Sequence, residues 1–178
     1  MHHRHRVFFA LKPNWKEINR INDLVCDETR VQMQPVASFR LHLTVAITND
    51  FSSFPRDVAE RMIVIGDAAS SDPFLLRFDW LSGGKESVVL RPYKRPEALS
   101  VLQRRIAAQL RDRNLMRVGW RFSPHVTLGY RPSQSIQKPI TPLIWHPQEL
   151  VLIHSVLGAT KHIELARWPL ESRQLKLL

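Results

Sequence analysis

Two short segments carry the residues best suited to chemistry. His42-Leu43-Thr44-Val45 and His125-Val126-Thr127-Leu128 repeat the pattern His-x-Thr-apolar at a separation of 83 residues. On an extended strand residues i and i+2 share a face, so each segment projects an imidazole and a hydroxyl together while its apolar residues point the other way. Brought face to face, the segments would line one cleft with two imidazoles and two hydroxyls. Displacement at phosphorus uses such a set: a base takes a proton from the attacking oxygen, and an acid gives one to the leaving oxygen on the opposite side. Two histidines with an ordinary pKa of about 6.5 can share those roles near neutrality. Threonine hydroxyls can donate hydrogen bonds to phosphate oxygens whose charge grows in the transition state. Eight His and six Thr in 178 residues lead to only about 0.3 His-x-Thr triplets by chance, so two on matching apolar strands are a specific signal.

The pattern around them describes the elements that must position them. Residues 7–11 predict a short buried strand, and Asn14 with Glu17 three residues on predicts a capped helix start, followed by Trp15, Ile18, Ile21 and Val25 at helical spacing. A second helix is predicted from about Pro55, with Val58, Met62, Ile63 and Ile65, and a third over 96–113, with Leu99, Leu102, Ile106 and Leu110 on one face. Strands are expected over 41–47, 74–81, 88–90, 121–130, 150–156 and 163–168, with the turn Ser82-Gly83-Gly84-Lys85 at the midpoint. Ala10-Leu11-Lys12-Pro13 is echoed 79 residues later by Val89-Leu90-Arg91-Pro92, in the same order relative to the His-x-Thr segments. The expectation is one α+β domain over 1–178, built as two lobes of antiparallel sheet plus helices related by a pseudo-twofold around a central cleft, the first repeat about 7–81 and the second about 85–170.

Composition bounds the setting. Hydrophobic residues make up 44% and charged residues 24%, enough for a packed core and too apolar for disorder. No apolar run reaches the eighteen or so residues of a membrane span, and the basic start is followed by too short an apolar stretch for a secretion signal, so a protein that neither crosses a membrane nor is exported is expected. The single Cys26 can form no internal disulfide and suits a reducing cytoplasm. A formal net charge of +10 points to polyanionic partners. The excess is concentrated over 91–138, where eleven Lys/Arg face two acids, a surplus of nine. Arg104, Arg105, Arg111 and Arg113 of that stretch are read as solvent-facing on the third helix and available to guide an RNA chain.

The paired motifs resemble the double signature of the two-histidine (2H) phosphoesterase superfamily. The flanks resemble its LigT-like branch, the RNA 2′,3′-cyclic phosphodiesterases also called 2′-5′ RNA ligases: Arg6-Val7-Phe8-Phe9-Ala10-Leu11 is similar to the opening strand, and Ser155 through Gly158, Thr160, Lys161 and Arg167-Trp168-Pro169-Leu170 to the closing hairpin. The resemblance implies a bilobal fold with a V-shaped cleft, no metal and no cofactor, and hydrolysis of a 2′,3′-cyclic phosphate on RNA or a nucleotide to a 2′-phosphate. It implies that His42 and His125 are catalytic and that Thr44 and Thr127 bind phosphate. Members of the family often carry an arginine five residues after the second histidine; here Tyr130 fills that position and Arg131 follows, so Arg131 is the candidate phosphate ligand, provided a bulge at Gly129 turns it toward the cleft. Lys161-His162 stands where an arginine and an aromatic are expected.

Other features read as scaffold. His2, His3 and His5 are taken as a mobile basic terminus rather than a metal site, and Gly83-Gly84-Lys85 lacks the rest of a phosphate-binding Walker loop. Trp80, Trp120, Trp145, Trp168 and Tyr130 can stack a base but individually suit core or rim. The leading expectation is a monomeric, metal-independent phosphodiesterase, with 2′-5′ ligation as the same chemistry run with an RNA hydroxyl. The alternative from another class is a nucleotide- or RNA-binding module that keeps the cleft without turnover.

Overall fold

The computed structural model describes residues 3–28, 32–69 and 71–170, with the side chains of 26–28, Cys26 among them, outside the described set; His2 also lies outside it. The opening strand β1 (Arg4–Leu11) is followed by α1 (Trp15–Glu28). Asn14 caps that helix: its Oδ1 accepts from the amides of Lys16 and Glu17 at 2.9 and 3.2 Å, and Glu17 Oε2 accepts from the Asn14 amide at 3.0 Å. This reciprocal pair is the capping box that the spacing predicts. After β2 (Gln34–Pro35) and a 3-10 turn (Ser38–Arg40) come β3 (Leu43–Ile47) and α2 (Arg56–Asp67). The hairpin β4 (Leu76–Gly83) and β5 (Ser87–Pro92) leads into α3 (Glu97–Asp112). Then follow β6 (Val126–Tyr130), β7 (Ile136–Trp145), β8 (Glu149–Leu157) and β9 (Lys161–Pro169).

The nine strands among the described residues belong to one sheet in the order β7-β4-β5-β6-β3-β1-β8-β9, with β2 paired to β6. Counted outward from the β3/β6 seam, β3, β1, β8 and β9 are matched by β6, β5, β4 and β7, which is the pseudo-twofold expressed in strand order. The halves are not consecutive in sequence, however. β4, inside the expected first repeat of 7–81, pairs with β5 and β7, whereas β8 and β9, inside the expected 85–170, return to pair with β1. The first half is thereby completed by the β8–β9 hairpin from the second, and the second half by the single strand β4 from the first. The seam itself is narrow: β3 meets β6 at Leu43 opposite Val126.

One face of the sheet carries the main core. Val7, Phe9, Leu11, Leu43, Val45, Val126 and Leu128 pack there with Ile21 of α1, Met62 and Ile65 of α2, and Leu99, Leu102, Ile106 and Leu110 of α3. Gly66 allows α2 to lie against β9, because a Cβ there would sit 2.2 Å from Cζ2 of Trp168. The opposite face holds a smaller apolar cluster of Phe8, Ala10, Ile47, Val151 and Ile153 with Trp120 against it. Among the described residues no helix is long and apolar enough to cross a membrane.

Four expectations change. The expected strand over 121–130 pairs only from Val126, since Pro124 has no amide to give to a ladder. β7 was invisible because Pro139 and Pro142 interrupt it; a proline is tolerated at the sheet edge, which is where β7 lies. The basic terminus enters the sheet at Arg4: His5 is paired in β1, and its Nδ1 lies 2.8 Å from Nε2 of His154. Lastly, α3 packs on the main-core face, so the exposed Arg104, Arg105 and Arg111 are carried on the side of the sheet away from His42 and His125.

Candidate functional site

The 3-10 turn at 38–40 delivers the chain into β3 in an extended conformation, with Leu41 at φ −60° and ψ 129°. Leu41, Leu43 and Val45 are buried in the main core. Alternation therefore sends Arg40, His42 and Thr44 to the opposite face. In the second half the buried Val126 and Leu128 send His125 and Thr127 to that same face. The antiparallel register about Leu43 and Val126 then sets His42 across from Thr127, and Thr44 across from His125. The two motifs thus form a crossed array, with each imidazole beside its own threonine and opposite the other one.

Both imidazoles are oriented in the same way. Nδ1 of His42 lies 2.6 Å from the carbonyl of Arg40, and Nδ1 of His125 lies 2.7 Å from the carbonyl of Ser123, in each case the residue two positions before. A carbonyl only accepts, so Nδ1 carries the proton and donates it, which leaves Nε2 as the unprotonated nitrogen of each neutral ring. Their surroundings differ. The His42 ring lies 5.0 Å from that of Phe8 and 5.3 Å from that of His162. Burial, outweighing the hydrogen bond to the Arg40 carbonyl and joined by the nearby His125, Arg40 and Lys12, pushes its pKa down to about 4. His125 is lowered too, first by burial and then by the charge of Arg91. Arg91 reaches it through Ser123, whose Oγ accepts from Nη1 at 2.8 Å. His42 is the more strongly neutral group of the two.

A cavity of about 160 Å³ opens at the seam, with Phe8, Arg40, His42, Thr44, Thr127 and Tyr130 on its wall. His125 is half-buried beside it rather than on that wall, near enough for its charge to be felt by His42. Arg6 and His162 complete the rim. Arg6 is held by Asp50 through two bonds of 2.6 and 2.9 Å, and Asp50 also accepts from Arg117 at 3.1 Å; the hydrogen bond from Arg6 is the main reason the Asp50 carboxyl titrates below its usual range. A larger cavity of about 270 Å³ lies further along β8 and β9, but its long cations are paired, Arg167 with Glu149 at 3.2 Å and Lys12 with Glu164 at 3.9 Å. Among the described residues no three His, Cys, Asp or Glu are grouped so as to hold a metal ion.

Arg131 does not join the site. It stands exposed just past β6 with φ +51°, its amide bonded to the Glu86 carbonyl at 2.9 Å. The ladder slips by one residue between Val88 opposite Gly129 and Val89 opposite Thr127, which leaves Leu128 without a partner in β5. That bulge turns Tyr130, rather than Arg131, onto the face of Thr127. Gly129 is needed here because β2 passes close by: a Cβ would lie 2.5 Å from Met33 Sδ and 2.8 Å from the Gln34 carbonyl. Two site residues were missed from sequence, Arg40 and His162. For Arg40 the signal was available, since 40, 42 and 44 alternate in step. His162 reaches the cavity only because β9 closes the half-sheet beside β8. Of the aromatic residues, Trp145 is buried and Trp168 packs beneath α2, while Tyr130 and Trp120 lie on the site face.

The backbone is similar to that of E. coli LigT complexed with 3′-AMP, at 21% identity over 95% of this chain and 99% of that one, with a TM-score of 0.80. The chain has the LigT fold. A further structure described as a phosphoesterase matches at 20% identity, 94% and 99% coverage and TM-score 0.78. The protein TT0787 of Thermus thermophilus matches at 18% identity, 94% and 99% coverage and TM-score 0.76. No protein-family model and no curated protein matches the chain. LigT has also been solved complexed with phosphate, ATP and NADP+.

Proposed function

We propose that this LigT-fold chain is a two-histidine phosphoesterase that opens the 2′,3′-cyclic phosphate of an RNA end or nucleotide to a 2′-phosphate. The observation that carries the reading is the crossed array at the seam, two imidazoles and two threonines brought onto one face through the Leu43/Val126 pair. His42, the more desolvated ring, is neutral and takes a proton from the attacking water at Nε2. The new P–O bond forms as the bond to the 3′ oxygen breaks, and His125 delivers the proton that the leaving oxygen requires. Thr44 and Thr127 donate to the non-bridging oxygens as their charge grows. Every proton is supplied by these side chains, so the scheme uses no cofactor and no metal.

The ligands held by LigT in its solved complexes, nucleotides and phosphate, support the substrate class. The net charge of +10 supports a polyanionic one. We place the enzyme in the cytoplasm as a monomer. The test is a product assay on 2′,3′-cyclic nucleotides with EDTA present, resolving 2′- from 3′-monophosphates. Formation of the 2′-phosphate at undiminished rate is expected. Binding without turnover would make the chain a nucleotide-binding module, and a strict need for Mg²⁺ or Zn²⁺ would overturn the acid–base scheme. Adding an RNA with a 5′-hydroxyl to the same assay detects 2′-5′ ligation.

A further inference from the structure

Two guanidinium groups border the seam cavity, and they are in opposite states. Arg6 is spoken for, bonded twice to Asp50 at 2.6 and 2.9 Å. Arg40 is paired with no acid among the described residues, and its Nε is the one buried side-chain nitrogen or oxygen among them that has no hydrogen-bond partner. A buried, unpaired N–H of a charged group is costly, and most such groups in folded proteins are satisfied, so an exception on the wall of a cavity marks a place for an acceptor. Arg40 shares a strand face with His42 and Thr44, and its own carbonyl holds Nδ1 of His42 at 2.6 Å. The pseudo-twofold partner of Arg40 is Ser123, which holds His125 in the same way and takes its positive charge second-hand, from Arg91 at 2.8 Å. Each histidine is thus oriented by a residue that also brings a cation to it, and only on the His42 side does that cation enter the cavity directly.

We propose that Arg40 is the anion clamp of this site: its guanidinium receives a phosphate oxygen of the ligand while its main chain sets the His42 ring. The inference rests on the proposed reading for the identity of the substrate, not for the existence of the clamp. It assigns to the first half of the molecule the cation expected from the second, because the β6 bulge puts Tyr130, not Arg131, on the wall. The geometry favours arginine over lysine, since a planar fork can bridge two phosphate oxygens and a lysine offers a point charge.

The experiment compares the full-length protein with Arg40→Met and Arg40→Lys in two arms. In the first, melting temperature is measured without ligand and across a titration of inorganic phosphate. Arg40→Met is expected to melt no lower than the parent without ligand, because its removal breaks no side-chain hydrogen bond among the described residues, and to lose the phosphate-induced rise. In the second arm, KM and kcat are measured on a 2′,3′-cyclic nucleotide. A charge-assisted hydrogen bond corresponds to about 10- to 100-fold in affinity, so KM is expected to rise by that factor in Arg40→Met with a smaller change in kcat, and to recover partly in Arg40→Lys. An equal phosphate response in parent and Arg40→Met, no response in the parent, or an unchanged KM overturns the clamp. A lower melting temperature with unchanged KM overturns it in favour of a structural role. If the parent does not hydrolyse cyclic nucleotides, the proposed function fails while the phosphate arm still decides for or against Arg40.

Discussion

In the proposed scheme, the unequal burial of the two imidazoles sets where activity lies on the pH scale. Lowering His42 from 6.5 to about 4 corresponds to roughly 3 kcal/mol against its protonated form, at about 1.36 kcal/mol per pH unit. The role of base proposed for it requires the neutral ring, so in the free protein that base is lost only as pH falls through about 4. His125 must carry the proton, and its pKa is also held below 6.5, so the acid is lost as pH rises past a point on the acid side of 6.5. The bell in kcat/KM is therefore expected to peak below pH 6.5 and to fall about tenfold per unit above the His125 limb. At pH 7.5 it should stand at least about tenfold below its maximum by the same slope. A bound phosphate favours both imidazolium forms, which moves the kcat profile toward higher pH than the kcat/KM profile. The assay is initial-rate hydrolysis of a 2′,3′-cyclic nucleotide from pH 3.5 to 9 at constant ionic strength, in steps of about half a unit, with circular dichroism at each pH to confirm folding. His42→Gln should retain the alkaline limb on its residual rate, and His125→Gln the acid limb. An acid limb at 6.5, or a kcat/KM maximum at or above pH 7, would refute the reasoning.

The remaining expectations are simpler to check. His42→Ala and His125→Ala should each lower kcat by about 10²- to 10⁴-fold while leaving the folded circular dichroism spectrum intact. Arg131→Ala should leave kcat and KM within about twofold of the parent, and so should the triple change of Arg104, Arg105 and Arg111 to Glu, because those side chains lie outside the cavity and on the far side of the sheet. Steady-state kinetics on a cyclic mononucleotide decides both; a tenfold loss in either would relocate the site. Gly66→Ala should destabilise the fold by about 1–3 kcal/mol in urea titration, since the new methyl would lie 2.2 Å from the Trp168 ring.

The local chemistry of the chain was legible without coordinates. Strand alternation at 42–45 and 125–128 depends only on the backbone period, and it assigned Leu43, Val45, Val126 and Leu128 to the core and the His and Thr residues to the other face, as observed. The Asn14–Glu17 box and the apolar stripe of α3 are likewise properties of a few neighbouring residues, and both stand. The pseudo-twofold was visible as repeated motifs for the same reason.

What the sequence did not contain was which distant strands complete each half. Pairing of β4 with β7, and of β8 with β1, is a choice among antiparallel partners that hydrophobic pattern alone leaves degenerate. It is decided by burying one shared core under three helices. That choice carries His162 to the side of His42, places α3 and its arginines behind the sheet, and makes β7 an edge that tolerates Pro139 and Pro142. The exchange of Arg131 for Tyr130 has a still more local origin, one unpaired residue in the β5/β6 ladder, yet a bulge is a property of two strands and cannot be read from one. Sequence thus determined which groups can act, because side-chain type and strand period are local. Tertiary structure decided which of them meet and in what state of burial, and therefore which arginine, Arg40, lines the cavity with its Nε unpaired among the described residues.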